Sequence, residues 1–372
     1  MGRRTKKTKK GKKIFATLII LVIIGAGAVL GVMVAQGKIE LPWNLFGKES
    51  EPVAAIEEPE EVEKEIKIFN GDDRPIAVVL ENSTKDDWPH PGMKNAYLVY
   101  EIIVEGGYTK LMPIYKGVNE EQIGYIRSAR PYFIDYALEN DAVLVHYGHT
   151  IMTADDEAKL KNDYIDGIIL PGSDKTFATV KGYSTGYAKR IVASIESIKK
   201  KMGEKKFRTT STDEGFKYVA EDYDLEDVTD EMENITNAAD SVKIKYSSSH
   251  SVSYTYDKEK KIYKRFQRGN PHYTDNNLQL TAKNIIIQLV TDTALGDKRD
   301  LPDKGYRKLA NIGQGTGYFI TNGKYVEITW SKKDRSSKTI YKDKDGNEIV
   351  LNDGITYVQI IPTANTAKVT FE

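Results

Sequence analysis

The sequence has no cysteine among its 372 residues. That excludes disulfides, thiol nucleophiles and cysteine-bound zinc or iron–sulfur centres. It also leaves no residue to carry the lipid of a bacterial lipoprotein anchor. Net charge is missing too, with 54 basic against 54 acidic residues, and nucleic acid is not expected as a partner. Charge is absent in a local sense as well: Ile14–Ala35 runs for 22 residues without one charged side chain. At about 1.5 Å per residue such a helix would span roughly 33 Å, enough for a bilayer core. The apolar part of a cleaved signal peptide is usually only about 7–15 residues long. The expectation is therefore an uncleaved signal anchor, a single transmembrane helix over 14–36.

The charges that are present are sorted along the chain. Residues 1–13 hold eight basic residues and no acidic one, while residues 49–65 hold eight glutamates. By the positive-inside rule the basic tail stays in the cytoplasm and the bulk of the chain is extracytoplasmic, at the cell membrane. Residues 37–70, rich in Glu and Pro, read as a solvated linker.

From 71 to 238, strand-like runs alternate with helix signals. Pro75–Leu80, Tyr97–Val104, Thr109–Tyr115, Ile123–Ile126, Asp141–Tyr147 and Gly167–Leu170 read as strands, and Gly106-Gly107 as a tight turn. Helices are expected after Ser128, from about Thr153 to Asp163, and over Ser184–Met202, where Ile191, Ile195, Ile198 and Met202 share a face. This pattern predicts a layered α/β or α+β domain. From 239 to 372 the texture is period-two, with turn signals at Asn322-Gly323, Asp345-Gly346 and Asp353-Gly354, which predicts a smaller, mainly β domain.

Chemically capable residues gather between Tyr97 and His149. Glu101 and Glu105, four apart on a predicted strand, would face the same way and could share acid/base work or be held in ion pairs. Arg127 and Arg130 flank a strand-to-helix corner suited to an anion, or serve to lock that corner. His146 sits at a strand end, where α/β folds place ligands. His146 and His149 could give two metal ligands, but no third can be named, so no metal and no cofactor is assigned. His90, His250 and His272 read as isolated loop residues. Gly313-Gln-Gly315-Thr-Gly317 leads into a strand, which excludes a phosphate loop, and Ser247–Ser249 beside His250 reads as a turn and not as a nucleophile with its base.

The segments RPIAVVLEN (Arg74–Asn82), VYEIIVEGGYT (Val99–Thr109), IGYIRSARPYF (Ile123–Phe133) and VLVHYG (Val143–Gly148) resemble the first domain of the YerB-type bacterial envelope family. TAKNIIIQLV (Thr281–Val290), GYFITNGKYVEITWSK (Gly317–Lys332) and YKDKDGNEIVLNDGITYVQIIP (Tyr341–Pro362) resemble its second. The resemblance implies an extracytoplasmic two-domain protein, commonly a lipoprotein, of unknown function. The chain departs from that pattern in its predicted anchor, in Lys181–Tyr187, and at His149, where relatives tend to carry a small residue. The expected function is an envelope protein that binds a cell-wall or other anionic ligand through Glu101, Glu105, Arg127, Arg130 and His146. A glycan hydrolase using Glu101 or Glu105, and an interaction scaffold for envelope proteins, are the alternatives.

Overall fold

The computed structural model describes residues 65–69, 71–83, 88–180, 190–212, 215–225, 237–294, 305–363 and 367–372. Its principal strands are β1 (Ile76–Val78), β2 (Leu80–Asn82), β3 (Leu98–Ile103), β4 (Thr109–Tyr115), β5 (Val143–His146), β6 (Tyr164–Asp166), β7 (Ser241–Lys245), β8 (Ser251–Asp257), β9 (Ile262–Gln267), β10 (Asn284–Val290), β11 (Gly313–Thr321), β12 (Lys324–Lys332), β13 (Thr356–Pro362) and β14 (Lys368–Phe371). The α-helices among the described residues are α1 (Pro131–Glu139), α2 (Ile151–Leu160) and α3 (Ile195–Glu204).

One sheet runs in the order Asn237–Ala238, β12, β11, β10, β13, β3, β4, β1, β5, β6, with β2 added beside β4 and Ile340–Lys342 beside β12. Its centre is the parallel pairing of β3 with β13, Leu98 opposite Thr356 through to Ile102 opposite Ile360. Every residue of β3, β4 and β13 is buried, and their mainly apolar runs are interrupted by Glu101, Lys110 and Gln359. Tyr100 packs on Tyr136 of α1 at 4.7 Å between ring centres and donates to Glu139 (2.6 Å). The next side chain, Glu101, points the other way, because strand side chains alternate between faces.

The second sheet is antiparallel, β9–β8–β7–β14, with Asn270–Pro271 and Thr281–Ala282 beside β9. Its alternating burial shows one face turned inward. Tyr246, just after β7, donates to the Glu101 carbonyl (3.1 Å), and Tyr254 lies against Tyr357 of β13 (5.9 Å). The core therefore fills the space between two sheets on one side and lies under α1 on the other.

The expected α/β layering is corrected. The described molecule is mostly β, 43% strand against 13% helix. The strands assigned by pattern to a first, helix-rich region hydrogen-bond directly to strands of the second. The helix predicted over Ser184–Met202 shows why. Residues 184–189 lie outside the described residues, and Ile191–Ala193 is a strand between Ile123–Gly124 and Phe177–Thr179. Ser194 starts α3 there, through reciprocal hydrogen bonds with Ser197. Ile191 thus keeps helical spacing with Ile195 and Ile198 while belonging to a β-branched strand.

Likewise Gly167–Leu170 is a turn after β6, with Ile168 and Ile169 exposed. Helix α2 is capped by Thr150 and not by Thr153, whose N–H Thr150 accepts. The single-pass anchor over 14–36 lies outside the described residues. Among the described residues no helix is long and apolar enough to cross a membrane, so the transmembrane helix, the signal anchor and the topology built on them are not supported.

Candidate functional site

Glu101 lies at the centre of the molecule and has no solvent exposure. Arg265 of β9, equally buried, donates Nη2 to its Oε2 (2.7 Å). Thr109 (2.8 Å), His250 (3.0 Å) and Asn82 (3.3 Å) donate to its Oε1. Burial alone would raise this carboxyl, but the Arg265 guanidinium and these hydrogen bonds hold it at about 2. Arg265 also donates to the Tyr254 hydroxyl (2.6 Å) and to His272 Nδ1 (3.0 Å). His272 Nε2 then lies 2.7 Å from His90 Nδ1, and His90 Nε2 lies 2.6 Å from the Glu81 carbonyl. The carbonyl can only accept, so each imidazole donates onward and both are neutral. Burial lowers His90 to about 4, and burial with His90 and Arg265 lowers His272 further.

The three histidines read from sequence as loop residues are therefore core residues of one network. Period-two alternation on β9 marks Arg265 as inward-facing, and that was the available signal. A glycan in solvent cannot reach Glu101.

Glu105 leaves the strand. Gly106 and Gly107 both take positive φ, 67° and 74°, and end β3 in a short 3-10 turn. Glu105 then meets Arg130, the residue before α1, in a two-point ion pair (Nε to Oε1 2.6 Å, Nη2 to Oε2 2.8 Å). Arg130 is also held by Ser128 Oγ (2.9 Å) and the Ala129 carbonyl (2.9 Å). Its guanidinium lies 5.8 Å from the Tyr306 ring. Arg127 approaches Glu81 (4.0 Å), which also pairs with Lys110 (2.7 Å). Glu101 and Glu105 thus serve different partners, and the paired arginines stiffen the corner.

Beyond that corner, Pro131, Tyr132 and Asp135 of α1, Met152, Asp155, Asp156 and Lys159 of α2, and Arg307–Ile312 with Arg335 line a groove of about 380 Å³. Asp135, 3% exposed, accepts from Asn311 Nδ2 (2.9 Å) and Arg335 Nε (2.5 Å). Burial pushes its carboxyl up to about 6 although Arg335 opposes the shift. A buried acid titrating near neutrality in a groove marks a candidate site. Nothing in the local sequence points to it, because its wall is assembled from four separated segments.

His146, fully buried at the end of β5, sits elsewhere again. Its Nδ1 donates to the Gly148 carbonyl (2.9 Å), and its Nε2 lies 2.9 Å from Glu157 Oε1 of α2 without hydrogen-bond geometry. His149 Nδ1 lies 2.7 Å from Asp166 Oδ2 of β6 in the same way. Asp166 Oδ1 accepts the N–H groups of Gly148 (2.7 Å) and Ile168 (3.0 Å). Donor atoms of His146, His149 and Asp166 all lie within 4.8 Å of one another. The third group that sequence could not name is thus Asp166, which the parallel pairing of β5 with β6 brings beside His146.

The N-terminal domain of DUF3048, described as a protein of unknown function, matches residues 62–209, and the C-terminal domain of the same family matches residues 242–358. "Putative lipoprotein YerB" of Bacillus subtilis is 25% identical over 302 residues, covering 80% of this chain and 83% of that protein. The crystal structure of YerB from Bacillus subtilis matches with a TM-score of 0.67 at 23% identity, over 80% of this chain and 94% of that one. This likeness shows a shared fold. That relative's name describes it as a lipoprotein.

Proposed function

We infer, from the premise that this chain belongs to the two-domain DUF3048 family of proteins of unknown function, that it is an envelope-associated binding protein. Its ligand is a polar, anionic group, such as a cell-wall fragment, held in the groove between α1, α2 and Arg307–Ile312. The location is supported by the relative's printed name. The observation that carries the binding is the groove itself, where Asp135 is buried against Asn311 and Arg335 while Lys159 and Lys308 stand exposed in the lining. An anion is favoured because protonation of Asp135 near pH 6 removes the one buried negative charge facing the groove. Glu105, Arg127 and Arg130 support the adjoining corner in this reading, and Glu101 is a core residue.

The test is calorimetric titration of the full-length chain with a purified disaccharide-peptide from peptidoglycan. Saturable binding is expected, tightening as pH falls from 7 to 5.5. Lys159→Ala/Lys308→Ala should weaken it roughly tenfold, and Asp135→Asn should flatten its pH dependence. Absence of binding, or binding that neither variant alters, would overturn the reading.

A further inference from the structure

The cluster at the edge of the large sheet differs in kind from the groove. Three side chains converge there from three places in the fold, His146 from the end of β5, His149 from the loop after it and Asp166 from the end of β6, and Glu157 of α2 stands beside His146. His146 and Asp166 have no solvent exposure and Glu157 has 2%, while the His149 side chain is 24% exposed. His146 Nε2, His149 Nδ1, Asp166 Oδ2 and both Glu157 oxygens have no hydrogen-bond partner.

Two features make this more than a chance gathering. The first is tautomer control. A backbone carbonyl takes the proton of His146 Nδ1, which leaves the Nε2 lone pair turned toward Glu157. Metal-binding histidines are oriented in this way. Asp166 is fixed similarly, with Oδ1 saturated by two backbone N–H groups and Oδ2 left over. The second is charge. Three other buried carboxylates have a cation at hand: Glu101 has Arg265 (2.7 Å), Glu139 has Lys332 (2.6 Å) and Asp135 has Arg335 (2.5 Å). Among the described residues Glu157 and Asp166 meet only imidazoles and amides. Two buried carboxylates beside lone-pair nitrogens call for a cation among them.

We propose that His146, His149 and Asp166 bind one divalent transition-metal ion of the zinc class, with Glu157 beside His146. Two imidazoles and a carboxylate are a borderline donor set that suits zinc and its neighbours and disfavours magnesium and calcium. The ion ties the end of β5 and the His149 loop to β6, the three-residue strand that ends the sheet.

The full-length chain is stripped with EDTA and titrated with ZnCl2 by calorimetry, and loaded in parallel with Co2+ for visible spectroscopy. One equivalent per chain and visible Co2+ bands of tetrahedral intensity are expected. His149→Ala changes the most exposed donor, and Asp166→Asn keeps the side-chain volume. Both should keep the parent's far-ultraviolet circular dichroism, weaken zinc at least about tenfold and lose the Co2+ bands. Should the parent fail to bind zinc at tens of micromolar, the cluster is a set of histidine–carboxylate ion pairs and the proposal falls. It falls equally if both variants bind as the parent does, since the ion then sits elsewhere.

Discussion

Two buried assemblies in this protein are built from the same residue types and are completed differently. Around Glu101, a carboxylate and three histidines are joined to Arg265, and the cation, the acid and the His90–His272 relay satisfy one another. Around His146, two carboxylates and two histidines lie together, and among the described residues no guanidinium or ammonium pairs with them. The lesson is that a polar cluster cannot be classed by its residue types. What separates a core network from a binding centre is whether the fold supplies the last charge. Position matches this difference. Glu101 lies between the sheets on the central strand, where any open valence would be trapped, and His146 lies beside the edge strand β6 with His149 reaching solvent.

The most direct way to break the comparison is to take the cation from the completed assembly. Arg265→Met should leave Glu101 buried and unpaired and cost about 3–5 kcal/mol, read as a lower urea midpoint. A loss below about 1 kcal/mol would mean that the guanidinium is not what holds the carboxylate there.

Acid should act next. Glu101 is held at about 2 against its ordinary 4.5, so its contribution is complete above pH 4.5 and is lost as pH falls toward 2. His90, lowered to about 4 from 6.5, must gain a proton on unfolding, so stability also falls as pH drops from 6.5 to 4. Urea midpoints measured from pH 7 to 3 should fall most steeply below pH 4.5, because above it Asp135, raised to about 6, opposes the loss at His90. In Arg265→Met the part of the decline below pH 4.5 should shrink. A flat profile would contradict the assignment of neutral histidines and an ionised Glu101.

The smallest effect sharpens the comparison from outside. The Glu105–Arg130 pair is partly exposed, with side chains at 18% and 13%. Arg130→Met should therefore cost about 1 kcal/mol or less, well short of Arg265→Met. Equal losses would show that burial does not set the difference.

Parts of this were legible in the sequence. The β3–β4 hairpin was, because apolar runs flank two glycines that both take positive φ. So were β9, β10 and β13, from their patterns and turns. The fold class was not, since pairing of β3 with β13 joins distant segments and leaves no local trace. The helix expected at Ile191 failed because helical spacing of isoleucines is indifferent to whether the first of them is on a strand. Among site residues, the chemistry of Glu101 and His146 was visible but their partners were not. Arg265 and His250 come from the second sheet, and Asp166 and Glu157 come from elements that only the folded chain places beside His146.

The pairing of Leu98–Ile102 with Thr356–Ile360 also bears on how the chain acquires its shape. A central strand made early in synthesis acquires this neighbour only when nearly the last strand has been made. Such non-local pairing slows folding, because a very long loop must close before its contacts return any stability. Until then an apolar strand edge stands open to other chains. The nascent protein is therefore most exposed to aggregation in the interval before its C-terminal strands arrive, and a truncation before Thr356 would make that interval permanent.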